Sequence, residues 1–274
     1  MSITRLTKYL RQDRMPHVWC PGCGNGAIMK AFIDAVDRET LDPNRVAVVS
    51  GIGCSSRVTG YLNFNTMHTL HGRAIAFASG VKLARPEFKV VVMGGDGDLL
   101  AIGGNHFIHA CRRNMDLTII VFNNYIYGMT GGQYSPTTFE DMTASTAPYG
   151  NMESPFDVIK LALSSGATYV ARSTVYHYTQ MVKFIQEGIR HKGISIIDIA
   201  TNCHTYFGRY NKMPEPVQMM EYLKNSAVSV EKAKDMSEEE LEKKIVTGEF
   251  INVDKPTYND KYQSLKNRFA SAGE

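Results

Sequence analysis

No stretch of this 274-residue sequence is long and apolar enough to cross a bilayer, which takes about 20 residues, so a membrane-spanning chain is not expected. The opening residues, Met1-Ser2-Ile3-Thr4-Arg5, lead into charged positions without the apolar core of a secretory signal, and the cytoplasm is the expected compartment. An excess of one charge is also missing. The net charge is only +3, and Lys and Arg are scattered rather than gathered into a basic stripe, so nucleic acid is not an expected partner. Cysteines are few and odd in number: five, at Cys20, Cys23, Cys54, Cys111 and Cys203. In a chain expected to be cytosolic, that count argues against a disulfide framework and for metal or redox use. A hydrophobic fraction of 43% is that of an ordinary globular protein, and the length suits one α/β domain, alone or with an arm.

The chain is organised around residues 89 to 132. Lys89-Val90-Val91-Val92-Met93 is a short β-branched run without polar alternation, which predicts a buried parallel strand. It ends in Gly94-Gly95-Asp96-Gly97, where glycine lets the backbone turn and approach a ligand. A helix is expected from Leu100 to Arg113, then a second buried strand from Leu117 to Phe122 ending on Asn123-Asn124. Elsewhere, helices are expected over 27–36, 74–84, 156–165 and 178–190, and strands over 46–53, 169–171 and 194–199. The alternation implies a doubly wound, mostly parallel sheet. Residues 134 to 153, rich in Ser, Thr and Pro and without periodicity, read as a long functional loop. Beyond residue 204 the alternation stops, so residues 1–204 are assigned to the α/β domain and 205–274 to a C-terminal arm packed on it or on a partner. Within the arm, residues 236–244 read as a charged, solvated helix.

Two neighbouring strands thus place Asp96 and Asn124 at the sheet edge where open α/β folds bind ligands. The pairing suits Mg²⁺ held against a diphosphate, with a carbonyl from Tyr125 or Ile126 completing the protein's share of oxygen ligands. Gly97 presents no side chain to a phosphate, and the amides of the following helix N-terminus favour an anion. The bland alternative is a turn that only joins a strand to a helix.

Cys20 and Cys23 form a Cys-x-x-Cys turn, but no second close pair completes a zinc ribbon. Cys54 and Cys203 each follow an apolar run, which would bring both to the same strand-end edge as Asp96. Dispersed ligands of this kind suit a [4Fe–4S] cluster, with zinc or no metal as alternatives. Cys111 sits within the predicted helix and reads as a small buried hydrophobe. His106 and His109 share a helix face and read as packing or surface residues.

Gly95-Asp96-Gly97 followed by Asn123-Asn124 resembles the diphosphate-binding motif of thiamine diphosphate enzymes. With cysteines at these positions, the chain from Trp19 to Cys203 is similar to the β subunit of 2-oxoacid:ferredoxin oxidoreductases. The motifs are Trp19-Cys20-Pro21-Gly22-Cys23-Gly24, Gly51-Ile52-Gly53-Cys54-Ser55, His71-Gly72-Arg73, Gly95-Asp96-Gly97-Asp98, Asn105-His106 and Asn124 to Gln133. The C-terminal arm resembles that family's extension less sharply. The resemblance implies thiamine diphosphate, Mg²⁺ and a [4Fe–4S] cluster as cofactors. Cys20, Cys23, Cys54 and Cys203 would hold the cluster. Asp96, Asn124 and the Ile126 carbonyl would hold Mg²⁺, and Ile52, Gly53, Cys54, Ser55, His71, Gly97, Asp98, Gly128 and Met129 would line the cofactor.

It further implies oxidative decarboxylation of a 2-oxoacid with coenzyme A and ferredoxin, run in either direction. The thiamine-activating glutamate is expected on a separate α subunit, and the assembly is expected to be (αβ)₂. The pattern looks most like the 2-oxoglutarate type, with pyruvate and branched-chain 2-oxoacids as alternatives, and Arg57 is a candidate contact for the substrate carboxylate. A non-redox thiamine diphosphate decarboxylase subunit and a non-catalytic metal module are the rival readings.

Overall fold

A computed structural model describes residues 6–270 except Lys243. The opening stretch 1–5 and the tail 271–274, both covered by the expectations above, lie outside the described residues. In chain order the strands are β1 (Val46–Ser50), β2 (Asn65–His68), β3 (Lys89–Gly95), β4 (Thr118–Asn123), β5 (Ile126–Tyr127), β6 (Gln133–Tyr134), β7 (Tyr169–Thr174), β8 (Ser195–Ala200), β9 (Ala227–Ser229) and β10 (Ile245–Asn252). Eight of them form one sheet in the order β2-β1-β3-β4-β8-β7-β10-β9, while β5 and β6 make a separate hairpin. The sheet is parallel from β2 to β7; β10 then runs antiparallel to β7.

The central strands read as unbroken apolar runs because both faces are covered. Val91, Met93, Ile120, Phe122, Ile197 and Ile199 point to one hydrophobic cluster. Their neighbours Val90, Val92, Ile119, Val121 and Ile196 point to the other. Helices α1 (Asn25–Arg38) and α2 (Ala74–Ala84) illustrate the division: α1 buries Ile28, Phe32 and Val36 on the first face, and α2 buries Ala74, Ile75 and Ala78 on the second. The i, i+3 and i, i+4 spacings within these sets are what a helix needs to lie on a sheet. Pro86 ends α2, because the residue before a proline, Arg85, is pushed out of the helical region. Lys82 is buried there, its ammonium donating to the carbonyls of Pro86 and Phe88 and pairing with Asp116 at 2.6 Å.

Four elements differ from the sequence expectation. The run predicted to be helical from Leu100 begins instead as a π-helical turn, Gly97–Ile102, and becomes α-helix only at Gly104–Arg113. The strand expected over 46–53 stops at Ser50, and the helix expected from Phe156 starts at Val158, where the Asp157 carboxylate caps the Ile159 amide. The charged stretch 236–244 contains one helical turn, Glu238–Leu241, closed by a capping box between Ser237 and Glu240.

Apart from Lys243, residues 205–270 are built into the same fold. Phe207, Met219, Leu223 and Ile245 join the first hydrophobic cluster, and β10 lengthens the sheet. No helix among the described residues is long and apolar enough to cross a membrane.

Asn114 ties this C-terminal segment down. It ends the helix before β4 with a left-handed φ of 50°. Its side chain accepts from the Thr168 hydroxyl and the Ile194 amide, and donates to the carbonyls of Lys255 and Pro256. Asn114→Ala should cost about 2–4 kcal/mol, from orphaned buried partners and the left-handed backbone. Asn114→Gly, free of the backbone penalty, should lose less. Urea unfolding reads both, and a loss below about 0.5 kcal/mol for Asn114→Ala would dismiss the tie.

Candidate cofactor and metal site

Four neighbouring parallel strands, β1, β3, β4 and β8, end on one edge of the sheet. Each hands over to a segment singled out in the sequence: Ile52–Ser55 after β1, Asp96–Asp98 after β3, Asn124–Ile126 after β4 and Cys203 after β8. A cleft at this edge is lined by Ile52, Gly53, Cys54, Ser55, His71, Asp96, Gly97, Asp98, Asn124, Ile126, Gly128 and Met129. The structure therefore gathers every residue assigned to the thiamine diphosphate and Mg²⁺ sites around one opening.

Asp96 is buried at the cleft floor. Its Oδ2 accepts from the Ser135 hydroxyl at 2.5 Å and the Thr137 hydroxyl at 2.8 Å. Burial pushes its carboxyl up to about 6, against the pull of these hydroxyls and of the Asp96 and Gly97 amides. A cation beside it would relieve that desolvation cost, which is the electrostatic argument for a metal here. Ser135 and Thr137 were not singled out individually in the sequence. Their signal was only the Ser/Thr-rich loop that carries them, since pairing them with Asp96 needs the loop's path in space.

Beyond β4, Tyr125 has a left-handed φ of 63°, a strained conformation for a side-chain-bearing residue. Its ring is held against Phe139 and Phe207, with centroids 4.8 and 5.6 Å away. Its carbonyl accepts from the Thr138 hydroxyl at 2.6 Å. Of the two carbonyls open to a metal from sequence, Tyr125's is thus engaged elsewhere, and Ile126 is the one that lines the cleft.

Asp98 acts as a clasp. Its Oδ1 receives the Ile52 amide at 3.1 Å, the Gly72 amide at 2.7 Å and His71 Nδ1 at 2.6 Å, tying three loops together. His71 faces the cleft edge-on to Tyr127, 6.3 Å between centroids. The Tyr127 ring covers Gly97, where any Cβ would collide with it, and its hydroxyl donates to the Gly97 carbonyl at 3.0 Å. The glycine is therefore required by this ring as well as by any phosphate.

A second cavity, of about 260 Å³, is lined by Cys20, Cys23, Cys54 and Cys203, with Trp19, Asn25 and Arg57. Trp19 Nε1 pins the Cys54 carbonyl at 2.6 Å. Burial pushes the Cys23 thiol up to about 12 and the Cys54 thiol to about 11, with the neighbouring sulfurs adding to both. The amides of Tyr206 and Phe207, on a π-helical turn at His204–Gly208, oppose the same burial effect at Cys203. A metal entering here must displace thiol protons.

Among the described residues, no three His, Cys, Asp or Glu side chains converge tightly enough for a single ion. The cavity is also far larger than the ~30 Å³ share of one water molecule. A cavity of this size lined by four cysteines has room for a polynuclear cluster. Arg57 lies at the exposed mouth of this cavity, where its charge favours the Cys54 thiolate, and not in the cleft. Cys111 is fully buried in the second hydrophobic cluster, away from the other four. His106 and His109 lie on the helix Gly104–Arg113, outside both cavities.

The two cavities share a wall of Cys54, Asn124, Gly128 and Met129. A Cβ at Gly128 would lie 3.6 Å from Cys203 Sγ and 3.7 Å from Cys54 Sγ, so both sulfurs pack directly against this glycine of the shared wall.

A family model for the C-terminal TPP-binding domain of thiamine pyrophosphate enzymes matches residues 51–199. The 2-oxoglutarate synthase subunit KorB of Methanocaldococcus jannaschii is 53% identical over 264 residues, covering 96% of this chain and 98% of that protein. The 2-oxoacid:ferredoxin oxidoreductase subunit beta of Saccharolobus solfataricus is 47% identical over 190 residues, covering 69% of this chain and 62% of that protein. Among solved structures, the 2-oxoglutarate:ferredoxin oxidoreductase from Magnetococcus marinus, with 2-oxoglutarate, coenzyme A and succinyl-CoA bound, is similar with a TM-score of 0.86. It is 34% identical, and the match covers 97% of this chain and 90% of that one.

The hydroxyls on Asp96 supply a direct test. Replacing Ser135 by Ala and Thr137 by Val removes two donors to a charged oxygen, each worth about 1.5–3 kcal/mol. Mg²⁺-dependent binding of thiamine diphosphate should weaken at least tenfold in a calorimetric titration. Affinity equal to the parent would show that Asp96 needs neither hydroxyl.

Proposed function

The chain belongs to the β-subunit family of the 2-oxoacid:ferredoxin oxidoreductases, and from that premise we propose that it carries thiamine diphosphate, Mg²⁺ and a [4Fe–4S] cluster in a 2-oxoglutarate:ferredoxin oxidoreductase. The reaction converts 2-oxoglutarate and coenzyme A to succinyl-CoA and CO₂, releasing two electrons and a proton, with the electrons passing singly to ferredoxin, or runs in reverse. 2-Oxoglutarate is favoured over pyruvate and branched-chain 2-oxoacids because the KorB relatives are 2-oxoglutarate synthase subunits and the similar structure holds 2-oxoglutarate and succinyl-CoA.

The observation that carries the proposal is the shared wall between cleft and cysteine cavity. When bound, thiamine diphosphate supplies the nucleophile and electron sink, Mg²⁺ anchors its diphosphate, and the cluster accepts electrons one at a time. The residues fit that division. Asp96, Asn124 and the Ile126 carbonyl would hold Mg²⁺, a hard oxygen set matching a hard cation. Cys20, Cys23, Cys54 and Cys203 would hold the cluster, a thiolate set matching iron. His71, fixed by Asp98, and the backbone of Gly53 and Gly128 would position the organic cofactor against that wall. Cys54 serves both sides, ligating on one face while its loop borders the cleft on the other. Such proximity is what single-electron transfer needs.

A β subunit implies an α partner, and the activating glutamate is assigned to it. An (αβ)₂ assembly in the cytoplasm completes the proposal, with Arg57 as a candidate contact for the substrate carboxylate at the cavity mouth. Purified anaerobically with its α subunit, the protein should contain iron and labile sulfide and turn over 2-oxoglutarate faster than pyruvate. Stoichiometric zinc without sulfide would reject the redox assignment. Cys54→Ser should lose the cluster and ferredoxin reduction. Cys111→Ser should keep both, at a stability cost of about 1–3 kcal/mol for a buried polar swap. The opposite pattern of iron content would overturn the ligand set.

A further inference from the structure

Asn25 is the first residue of α1 and is 1% exposed. It lines the cysteine cavity, yet neither its Oδ1 nor its Nδ2 has a hydrogen-bond partner. A buried carboxamide without partners is unfavourable, and an apolar residue of the same size would sit there at lower cost. Its own amide already donates to the Cys23 sulfur, so the start of the helix faces the thiols. Four cysteine sulfurs line the cavity, and the two ends of a carboxamide exchange by a simple flip. Sulfur bearing negative charge selects the Nδ2 end.

We propose that the Asn25 side chain donates a hydrogen bond to a sulfur of the iron–sulfur cluster and thereby raises its reduction potential. This rests on the cluster assignment above. The physical reason is charge: reduction adds an electron to the cluster, and a donor aimed at sulfur stabilises the more negative state. Asn25 thus tunes the cluster without ligating it. The helix N-terminus acts in the same sense, because its amides also favour negative charge.

The test uses the enzyme co-expressed with its α subunit and purified anaerobically, comparing the parent with Asn25→Leu, Asn25→Ala and Asn25→Gln. Leu fills the space and keeps water from replacing the donor, whereas Ala is the mildest change for the helix. Iron and sulfide content is read first, and parent enzyme lacking both would overturn the cluster assignment and this proposal with it. With the cluster loaded, an EPR-monitored redox titration should show a lower midpoint in Asn25→Leu. A tenfold loss of preference for the reduced form corresponds to about 59 mV for one electron. Asn25→Ala should shift in the same direction, and Asn25→Gln, which keeps the carboxamide, should recover most of the difference. Unchanged midpoints in iron-replete Leu and Ala variants would overturn the proposal. So would loss of iron from both, which would make Asn25 a structural residue only.

Discussion

Parallel alignment of β1, β3, β4 and β8 is the constraint on which the site depends. Each crossover returns the chain to the same end of the sheet, so four strands deliver four loops to one edge. Those loops carry residues from 52 to 203, which no local structure could bring together. The strands can lie in the middle of the sheet because helices cover both faces. That is also why they are Val- and Ile-rich with hardly any polar alternation.

The edge concentrates buried carboxylates, and each is handled differently. Asp98 satisfies one oxygen with three donors from two loops and so becomes a structural clasp. Asp198 lies beside Arg172 on the neighbouring strand, bound at 2.6 Å, and the same guanidinium reaches Asp157 at 3.0 Å. Asp96 has hydroxyl donors but no cationic side chain among its hydrogen-bond partners, and burial raises its pKa. A carboxylate placed this way is costly in isolation and suited to a divalent cation. Burial raises both Asp96 and Asp198, and the contrast between them is that Asp198 has a guanidinium partner while Asp96 has only hydroxyls, which supports the proposed cation role of Asp96.

The cleft and the cysteine cavity are divided by a thin partition. Cys54 and Gly128 belong to both cavities, and the missing side chain at Gly128 keeps the sulfurs of Cys54 and Cys203 close to the cleft. The loop after β1 is stiffened from both sides, by Trp19 on the Cys54 carbonyl and by Asp98 on the Ile52 amide. A shift in that loop would move Cys54 and the wall of the cleft together.

Much of this was legible in the residues. The apolar runs announced β1, β3, β4 and β8, because a strand buried on both faces has no alternative composition. Gly95-Asp96-Gly97 with Asn123-Asn124 pointed to a set of oxygen ligands, and the Cys20-x-x-Cys23 turn with Cys54 and Cys203 after apolar runs pointed to a set of sulfur ligands. Other features depend on how distant segments meet. The π-helical turns after Asp96 and Cys203 have no compositional signature, since the choice between α and π winding is made by packing around the site. Ser135 and Thr137 reach Asp96 only because a loop about 40 residues on folds back over β3. The C-terminal segment looked irregular, yet β10 enters the sheet between β7 and β9, because its partners come from segments far apart in the chain and no local pattern announces the pairing. Local chemistry is written along the chain, and so strands, motifs and ligand types could be read there. Which hydroxyls, rings and amides surround those ligands is a matter of long-range contact, and only folding decided it.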